Sequence, residues 1–411
     1  DFQAWYNGPI DTREELDLFL LGENTRAEPA NENTDEPNVL APGLLEKATS
    51  TQSKLDAWTA PAGVEVIQIA GWGLDTIRGI RYDDCDIPFC PNDLSHLDRE
   101  LLLVHDGDGT VVIPSATAME GERYYVDLPD HNHQLSLARR NRDHADILEV
   151  EELQTLLKNL VSGSDVLPEI VTTEKPLVED EDKILRFRIH SPVELHLYDS
   201  EGNHTGLVER PELEGLQGIE QELPNSYYLE FGETKYAGAD TFATTTVVLV
   251  GKGAGIFTFE IEEVLGDTLV GTTTFTDVPV IAGAHATTTV QHVDGSLTLS
   301  MDMDNDGEVD AVLAPGDGLT DKELLGILRG IVRSFDLDPK KEKKLLKSID
   351  KLEKALTKEY KDAKKEKKKT SQAFNKLAKT IKQYGRKGVL TNDEAYELLQ
   401  ILEQIRGGVV K

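Results

Sequence analysis

The stretch Val64-Glu65-Val66-Ile67-Gln68-Ile69-Ala70, followed by Gly71-Trp72-Gly73, decides the fold expected for the first part of the chain. A short apolar run that ends at glycines is typical of a buried strand leading into a tight loop, where active-site groups tend to lie. A second apolar run, Leu101-Leu102-Leu103-Val104, predicts a short buried strand. Its carboxyl end leads into the turn His105-Asp106-Gly107-Asp108-Gly109-Thr110-Val111.

A histidine follows the next predicted strand, which covers residues 123–128. His144 stands before an amphipathic segment that ends at Gly163, and we expect a helix to begin immediately after it. The helix would leave unpaired N–H groups near the histidine and fix its entry angle. A carboxylate on one strand-end loop and a histidine on a later loop follow the order Ser, Asp, His of α/β-hydrolase triads. Asp106 is a competing carboxylate, and the competing histidines are His131 and His133.

Three segments together resemble the C-terminal part of the lecithin:cholesterol acyltransferase-like lipases. They are residues 60–76, residues 107–111 with Ser115-Ala116, and residues 144–148. The resemblance covers about the first 160 residues. It implies that Asp108 is the triad acid and His144 the base of a serine ester hydrolase or acyltransferase that acts on lipid-like substrates. It also implies that residues 1–60 include part of a cap over the active site.

The sequence contains no Gly-x-Ser-x-Gly elbow, the strained turn that exposes a nucleophilic serine. In the resembled family that serine lies upstream of the segments that match. Because the chain begins at Asp1 without a signal sequence, we expect a fragment or processed product of an exported protein, extracellular or at the cell surface. Trp72 is expected either to line an acyl pocket or to pack in the core, and Thr110 and Ser115 to hold the turn.

The charge of the chain is divided unevenly. Residues 319–411 contain 24 Lys and Arg against 14 Asp and Glu, a formal charge of +10, whereas residues 1–318 carry −42. We therefore predict a domain boundary near residue 318. The acidic part argues against nucleic-acid binding, because it would repel phosphates. No apolar run approaches the length of a membrane span.

The two cysteines, Cys85 and Cys90, are separated by Asp-Ile-Pro-Phe. In an exported protein they could close a small disulfide loop, and the alternative is two free thiols. A zinc site would need further ligands, which the neighbouring sequence does not obviously offer.

The segment 164–318 has the pattern of an antiparallel β-sandwich, with short alternating strands and Gly-rich turns. Near its end, alternate carboxylates with glycine at the sixth place predict a structural Ca²⁺ loop. Leu313 occupies the twelfth place, where an EF-hand has a bidentate glutamate, so a different calcium loop is implied. The alternative is an acidic turn between strands. The predicted ligands are Asp302, Asp304, Asp306, Glu308 and Asp310.

Residues 319–411 show apolar residues three and four apart and predict a small helical bundle, with Thr320 and Thr391 as N-caps. Its many lysines indicate solvated faces, or a surface for an anionic partner such as a polymer or membrane.

The sequence as a whole predicts three domains: a partial α/β-hydrolase domain at 1–163, a β-sandwich at 164–318 and a basic helical bundle at 319–411. Two functions remain open. One is the acid and base half of an ester hydrolase or acyltransferase, and the other is a non-catalytic cell-surface binding or structural module stiffened by calcium.

Overall fold

A computed structural model describes most of the chain. The chain forms two compact units. The first comprises Asp1–Leu137 and Arg142–Val178, and the second comprises Ala138–Asn141 and Glu179–Lys411. Cys85, Cys90 and Asp304 lie outside the described residues, so the predicted disulfide stays a prediction. The described residues are 10–22, 40–83, 98–134, 141–190, 192–210, 216–232, 234–253, 255–293, 295–303, 305–335, 337–358 and 363–410.

The first unit mixes short strands and helices. Its strands are β1 (Ile67–Trp72), β2 (Thr76–Asp83), β3 (Asp98–Val104), β4 (Glu122–Asp127) and β5 (Val171–Thr172). Its helices are α1 (Arg13–Leu20), α2 (Pro42–Asp56), α3 (Ile113–Ala116), α4 (Leu128–Gln134) and α5 (Glu151–Ser162). The N-cap of α1 is Thr12, whose hydroxyl accepts a hydrogen bond from the Glu15 N–H, as its capping-box sequence predicts.

A small sheet forms the centre of this unit. Strand β1 runs parallel to β4, from Ile67 beside Glu122 to Trp72 beside Asp127, and β5 pairs antiparallel with β4. The predicted first strand is therefore real, but it begins at Ile67 and not at Val64. The predicted strand at Leu101–Val104 is present as the end of β3, which pairs antiparallel with β2 in a two-stranded ribbon.

Helix α5 packs against this sheet. Leu153 and Leu156 of the helix are buried with Val126 of β4, as expected from their helical spacing. The helix ends at Gly163, whose positive φ of 70° suits the left-handed residue at a helix end. Since β1 and β4 are parallel, the loops that follow them leave from the same edge of the sheet.

The second unit begins with two antiparallel sheets. One has the strand order β10-β11-β6-β13-β14 and the other β17-β16-β15-β12-β7-β8-β9. The strands are β6 (Lys183–His190), β7 (Val193–Tyr198), β8 (His204–Arg210), β9 (Leu216–Gln221), β10 (Tyr227–Phe231), β11 (Thr234–Asp240), β12 (Thr245–Gly251), β13 (Gly255–Leu265), β14 (Thr268–Val280), β15 (His285–Val290), β16 (Leu299–Asp302) and β17 (Ala311–Leu313).

Inward-facing residues of the two sheets share one core. Burial alternates along β6 and β12, and Phe187, Leu195 and Phe259 are fully enclosed in the same cluster. Alternation of this kind indicates strands with one buried face. The chain is thus a mixed α/β protein with a β-rich region of antiparallel sheets, as predicted at that level. The predicted domain division at residues 163 and 318 stays a prediction.

The same unit ends in four described helices, α6 (Asp321–Ser334), α7 (Pro339–Leu356), α8 (Ala363–Arg386) and α9 (Asn392–Val410). Their apolar stripes form one core that includes Leu328, Leu345 and Leu398. The side chain of Thr320 accepts a hydrogen bond at the start of α6, and that of Thr391 does so at the start of α9, as their sequences predict. None of the helices in the described ranges is both long and apolar enough to cross a bilayer.

Candidate active site

Asp108 lies in the turn that follows β3, next to the carboxyl end of β1. Its Oδ1 accepts hydrogen bonds from the backbone N–H of Thr110 at 3.1 Å and of Val111 at 2.7 Å. The turn is joined to the segment after β1 by a bridge between Leu74 and Asp108. Gly109 has a φ of 92°, a conformation that favours glycine. The turn therefore fixes one carboxylate oxygen and leaves the other for a second partner.

Thr76 supports this turn from the first residue of β2. It is fully buried, donates its hydroxyl proton to the carbonyl oxygen of Leu74 and accepts from the N–H of Gly109, both at 2.9 Å. A Cβ atom on Gly107 would lie 2.4 Å from this hydroxyl, so only glycine fits there. Gly109 is thus needed for its backbone conformation, and Gly107 is needed because no Cβ atom fits beside Thr76.

The second partner of Asp108 is His144. Nδ1 of the imidazole lies 2.9 Å from Oδ2 of Asp108, and the His144 backbone N–H donates to the Asp108 carbonyl oxygen, also at 2.9 Å. The Asp108 side chain is only 7% exposed, whereas that of His144 is 46% exposed. The pair therefore has a buried carboxylate and an accessible ring.

The segment around His144 differs from the prediction. A turn and a short 3-10 helix, Ile147–Glu149, follow the histidine, and α5 begins only at Glu151. The interpretation that a helix begins directly after His144 was wrong. Asp143 and Asp146 instead accept backbone hydrogen bonds within the turn, a local alternative to helix that aspartate favours.

Two polar side chains that were not predicted from the sequence hold this turn in place. Arg142 forms ion pairs with Asp146 and Glu149, and its hydrogen bond with Asp146 holds the pKa of the guanidinium above its usual value. Asn132, buried on α4, donates to the Arg142 carbonyl oxygen and accepts from the Arg142 N–H. The only available signal was the spacing of Arg142, Asp146 and Glu149.

Gly71 of β1 packs closely against Asp108 and against the segment that follows His144. A Cβ atom on Gly71 would lie 2.8 Å from Cβ of Asp108, 2.8 Å from Leu128 and 2.9 Å from Ile147. Gly71 therefore permits the strand, the acid-bearing turn and the segment after His144 to meet. This glycine appeared in the sequence only as part of a strand-end signal.

The competing residues have other partners. The carboxylate of Asp106 forms an ion pair with Lys175 at 3.2 Å. His131 is buried, and its Nδ1 lies 3.0 Å from Glu152 on α5. His133 is half-buried on α4. Among the residues singled out from the sequence, Asp108 and His144 are the acid and base that the structure brings together.

The other residues singled out in this region take structural positions. Trp72 is 2% exposed and meets the His105 ring edge to face at 5.0 Å, so it packs in the core. Thr110 donates its backbone N–H to Asp108, and Ser115 lies exposed on α3.

The predicted calcium loop has its carboxylates turned toward its own backbone. Asp302 accepts from the N–H groups of Asp306 and Gly307, and Asp310 accepts from that of Met303. Glu308 donates its N–H to Asp306. Within the described part of the chain, which excludes Asp304, no group of three or more His, Cys, Asp and Glu side chains is placed to hold a metal. Calcium binding stays a prediction.

The geometry of the Asp108–His144 pair is compatible with acid–base chemistry. An ionised carboxylate only accepts hydrogen bonds, so the proton between the two groups belongs to Nδ1 of His144. In the neutral ring Nε2 is then a proton acceptor, and the carboxylate would stabilise the imidazolium that forms when Nε2 takes a proton. This is the arrangement of a general base and its orienting acid.

No protein-family model matches the sequence, and no curated protein matches it.

Proposed function

We propose that this chain supplies the acid and base of an exported serine ester hydrolase or acyltransferase that acts on lipid-like substrates. Asp108 orients His144 and stabilises its protonated form, and Nε2 of His144 takes the proton of a serine hydroxyl as that oxygen attacks the ester carbon. The same nitrogen then returns the proton to the leaving alcohol.

The observation that carries the proposal is the 2.9 Å contact between His144 Nδ1 and Asp108 Oδ2. It is supported by the topology, since the turn after β3 that carries Asp108 is bridged to Leu74, just beyond the end of β1, and His144 follows the parallel strand β4. Strand-end loops at one edge of a parallel sheet are where α/β enzymes bring catalytic groups together. The order of acid before histidine is that of α/β-hydrolases.

The nucleophile of the proposed enzyme would come from outside residues 1–411, because the chain contains no Gly-x-Ser-x-Gly sequence. An oxyanion hole would come from the same region, as in the nucleophile elbow of α/β-hydrolases. His144 would activate either water or an alcohol as the acceptor of the acyl group.

The test is hydrolysis of p-nitrophenyl butyrate by the protein extended upstream through a Gly-x-Ser-x-Gly segment. Asp108→Asn should lower kcat by about 10⁴-fold, the scale seen when a triad acid loses its charge, and His144→Ala should lower it at least as far. KM should change little, because neither group binds the acyl chain.

Matched controls use the competing residues. Asp106→Asn removes a carboxylate from the same loop, and His133→Ala removes a histidine from the preceding helix. Both should retain kcat within a few-fold if folding is intact by circular dichroism. Full activity of Asp108→Asn or of His144→Ala would refute the assignment of that residue, and an inactive extended protein would favour a non-catalytic role.

A second candidate is a non-catalytic cell-surface module with a calcium-stabilised β-sandwich. It is favoured by the compact acidic loop after β16, in which Asn305 and Gly307 both have positive φ, at 57° and 89°. Such a loop can wrap oxygen ligands about a hard cation once its carboxylates turn inward. The ligand set would be Asp302, Asp304, Asp306, Glu308 and Asp310.

Calorimetric titration with Ca²⁺ tests this candidate directly. Heat of binding that is abolished by Asp302→Ala, and retained in Asp317→Ala as an acidic control outside the loop, would support it. Absence of heat in the wild-type protein would remove it.

A further inference from the structure

The facing surfaces of α7 and α8 form an open groove of about 500 Å³, which the proposed ester chemistry does not use. Five lysines line it: Lys351, Lys354 and Lys358 from α7, and Lys369 and Lys376 from α8. This volume is within the usual range of small-molecule sites.

Helical periodicity explains the two rows of charge. Residues 351, 354 and 358 are spaced by three and four, so they share one face of α7, and residues 369 and 376 are two turns apart on α8. All five side chains are exposed. Like charges three or four residues apart on one helix face repel each other, so the row on α7 is slightly unfavourable without a counter-charge.

The floor of the groove consists of small residues. Ser348 and Ala355 of α7 are buried beneath the lysines, and Ala373 of α8 faces them. Ser348 donates its hydroxyl proton to the Lys344 carbonyl oxygen. Small side chains leave space between the helices, so the lysines surround a recess and do not cover a convex surface.

Two acidic residues of α7, Asp350 and Glu353, are directed to another neighbour. Asp350 and Glu353 pair with Arg329 of α6, through Nη2 at 3.4 Å and 2.6 Å. Within the described ranges, no carboxylate forms an ion pair with Lys351, Lys354, Lys369 or Lys376. Asp350 and Glu353 therefore lie toward α6, whereas Lys351, Lys354 and Lys358 line the groove.

We propose that this groove binds a compact anion with several phosphate groups. Converging ammonium groups favour phosphate oxygens through charge-assisted hydrogen bonds. The net charge of the chain, −32, disfavours extended anionic surfaces such as membranes. At physiological salt, however, charges beyond about 8 Å are largely screened, so a ligand inside the recess interacts mainly with its lysines.

The test is calorimetric titration of the full chain with tripolyphosphate, compared with orthophosphate. The groove variant is K351Q/K354Q/K369Q/K376Q. The control variant, K343Q/K347Q/K379Q/K382Q, removes the same charge from exposed lysines of the same two helices that do not line the groove. Thermal unfolding checks that both variants fold.

We expect tripolyphosphate to bind more tightly than orthophosphate, the groove variant to lose at least about tenfold in affinity, and the control to stay within about twofold. Equal weakening of both variants would overturn the proposal in favour of diffuse attraction. So would absence of binding to the wild-type chain, or binding to phosphatidylglycerol vesicles that is tighter than binding to tripolyphosphate.

Discussion

Nδ1 of His144 lies 2.9 Å from Oδ2 of Asp108, although 36 residues separate the two in the chain. The backbone N–H of His144 also donates to the carbonyl oxygen of Asp108, so the contact has two parts. Because the other carboxylate oxygen is held by the N–H groups of Thr110 and Val111, the acid has little freedom to turn away. The histidine is thus oriented by a group that is itself fixed.

Replacing Gly71 by alanine should disturb this pair from the strand side. The added methyl group would lie 2.8 Å from Cβ of Asp108, and overpacking of this kind costs about 1–3 kcal/mol. We expect a lower urea midpoint for unfolding of the first unit. Gly43→Ala, in α2 where a Cβ meets nothing within 4 Å, is the control and should not lower the midpoint. An unchanged midpoint in Gly71→Ala would show that the close approach is absent.

Asn132→Ala should loosen the segment that carries His144. The substitution removes a donor to the Arg142 carbonyl oxygen and an acceptor for the Arg142 N–H, and buried groups left without partners cost about 1–3 kcal/mol. We expect a lower unfolding midpoint and faster amide hydrogen exchange at residues 142–146. Asn132→Asp keeps the acceptor but places a second acceptor oxygen against the Arg142 carbonyl oxygen, so it should not restore the midpoint. A midpoint in Asn132→Ala equal to that of the wild-type protein would contradict this role for the amide.

These cases show what the sequence could and could not predict. Gly-Asp-Gly-Thr and the strand before it were visible as a turn and an apolar run, so the location of Asp108 followed from local chemistry. The contribution of Asn132 depends on a contact with the backbone of Arg142, ten residues away, and no local pattern encodes it. The prediction of a helix directly after His144 was wrong. Asp143 and Asp146 accept hydrogen bonds from the backbone and form a turn there instead.

The pairing of the strands was also not predictable from local sequence. Leu101–Val104 has the composition of a core strand, and composition does not reveal that its partner is the antiparallel β2. In the second unit prediction was easier, because alternation along β6, β12 and β13 marks one buried face whatever the partner.

A histidine pair in the second unit should make stability depend on pH. His196 Nδ1 lies 3.0 Å from His204 Nε2, and His204 Nδ1 lies 2.9 Å from Glu220. Burial lowers the pKa of His196 from 6.5, the charge of His204 lowers it further, and Glu194 opposes the shift. Lys252 forms an ion pair with Oε1 of Glu194, and the Tyr198 ring stacks on His196 and is tilted against His204.

The direction of this change of stability with pH follows from proton binding by His196. Below pH 6.5 the unfolded chain binds a proton at His196 that the folded chain resists, so this contribution to stability is present above 6.5 and is lost as pH falls toward the folded pKa. The urea midpoint should fall between about pH 7.5 and about pH 5.5. His196→Gln should reduce that fall, whereas His285→Gln, on β15, is the control and should not. An equal fall in all three proteins would contradict the assignment.

The most direct test of the acid–base pair is the protonation state of the two ring nitrogens of His144, read from ¹⁵N chemical shifts of the intact chain at a pH where the ring is neutral. The account predicts a proton on Nδ1 and none on Nε2 in the wild-type protein, and a mixture of the two forms in Asp108→Asn. A proton on Nε2 in the wild-type protein, or no response to Asp108→Asn, would contradict the claim that Asp108 orients His144.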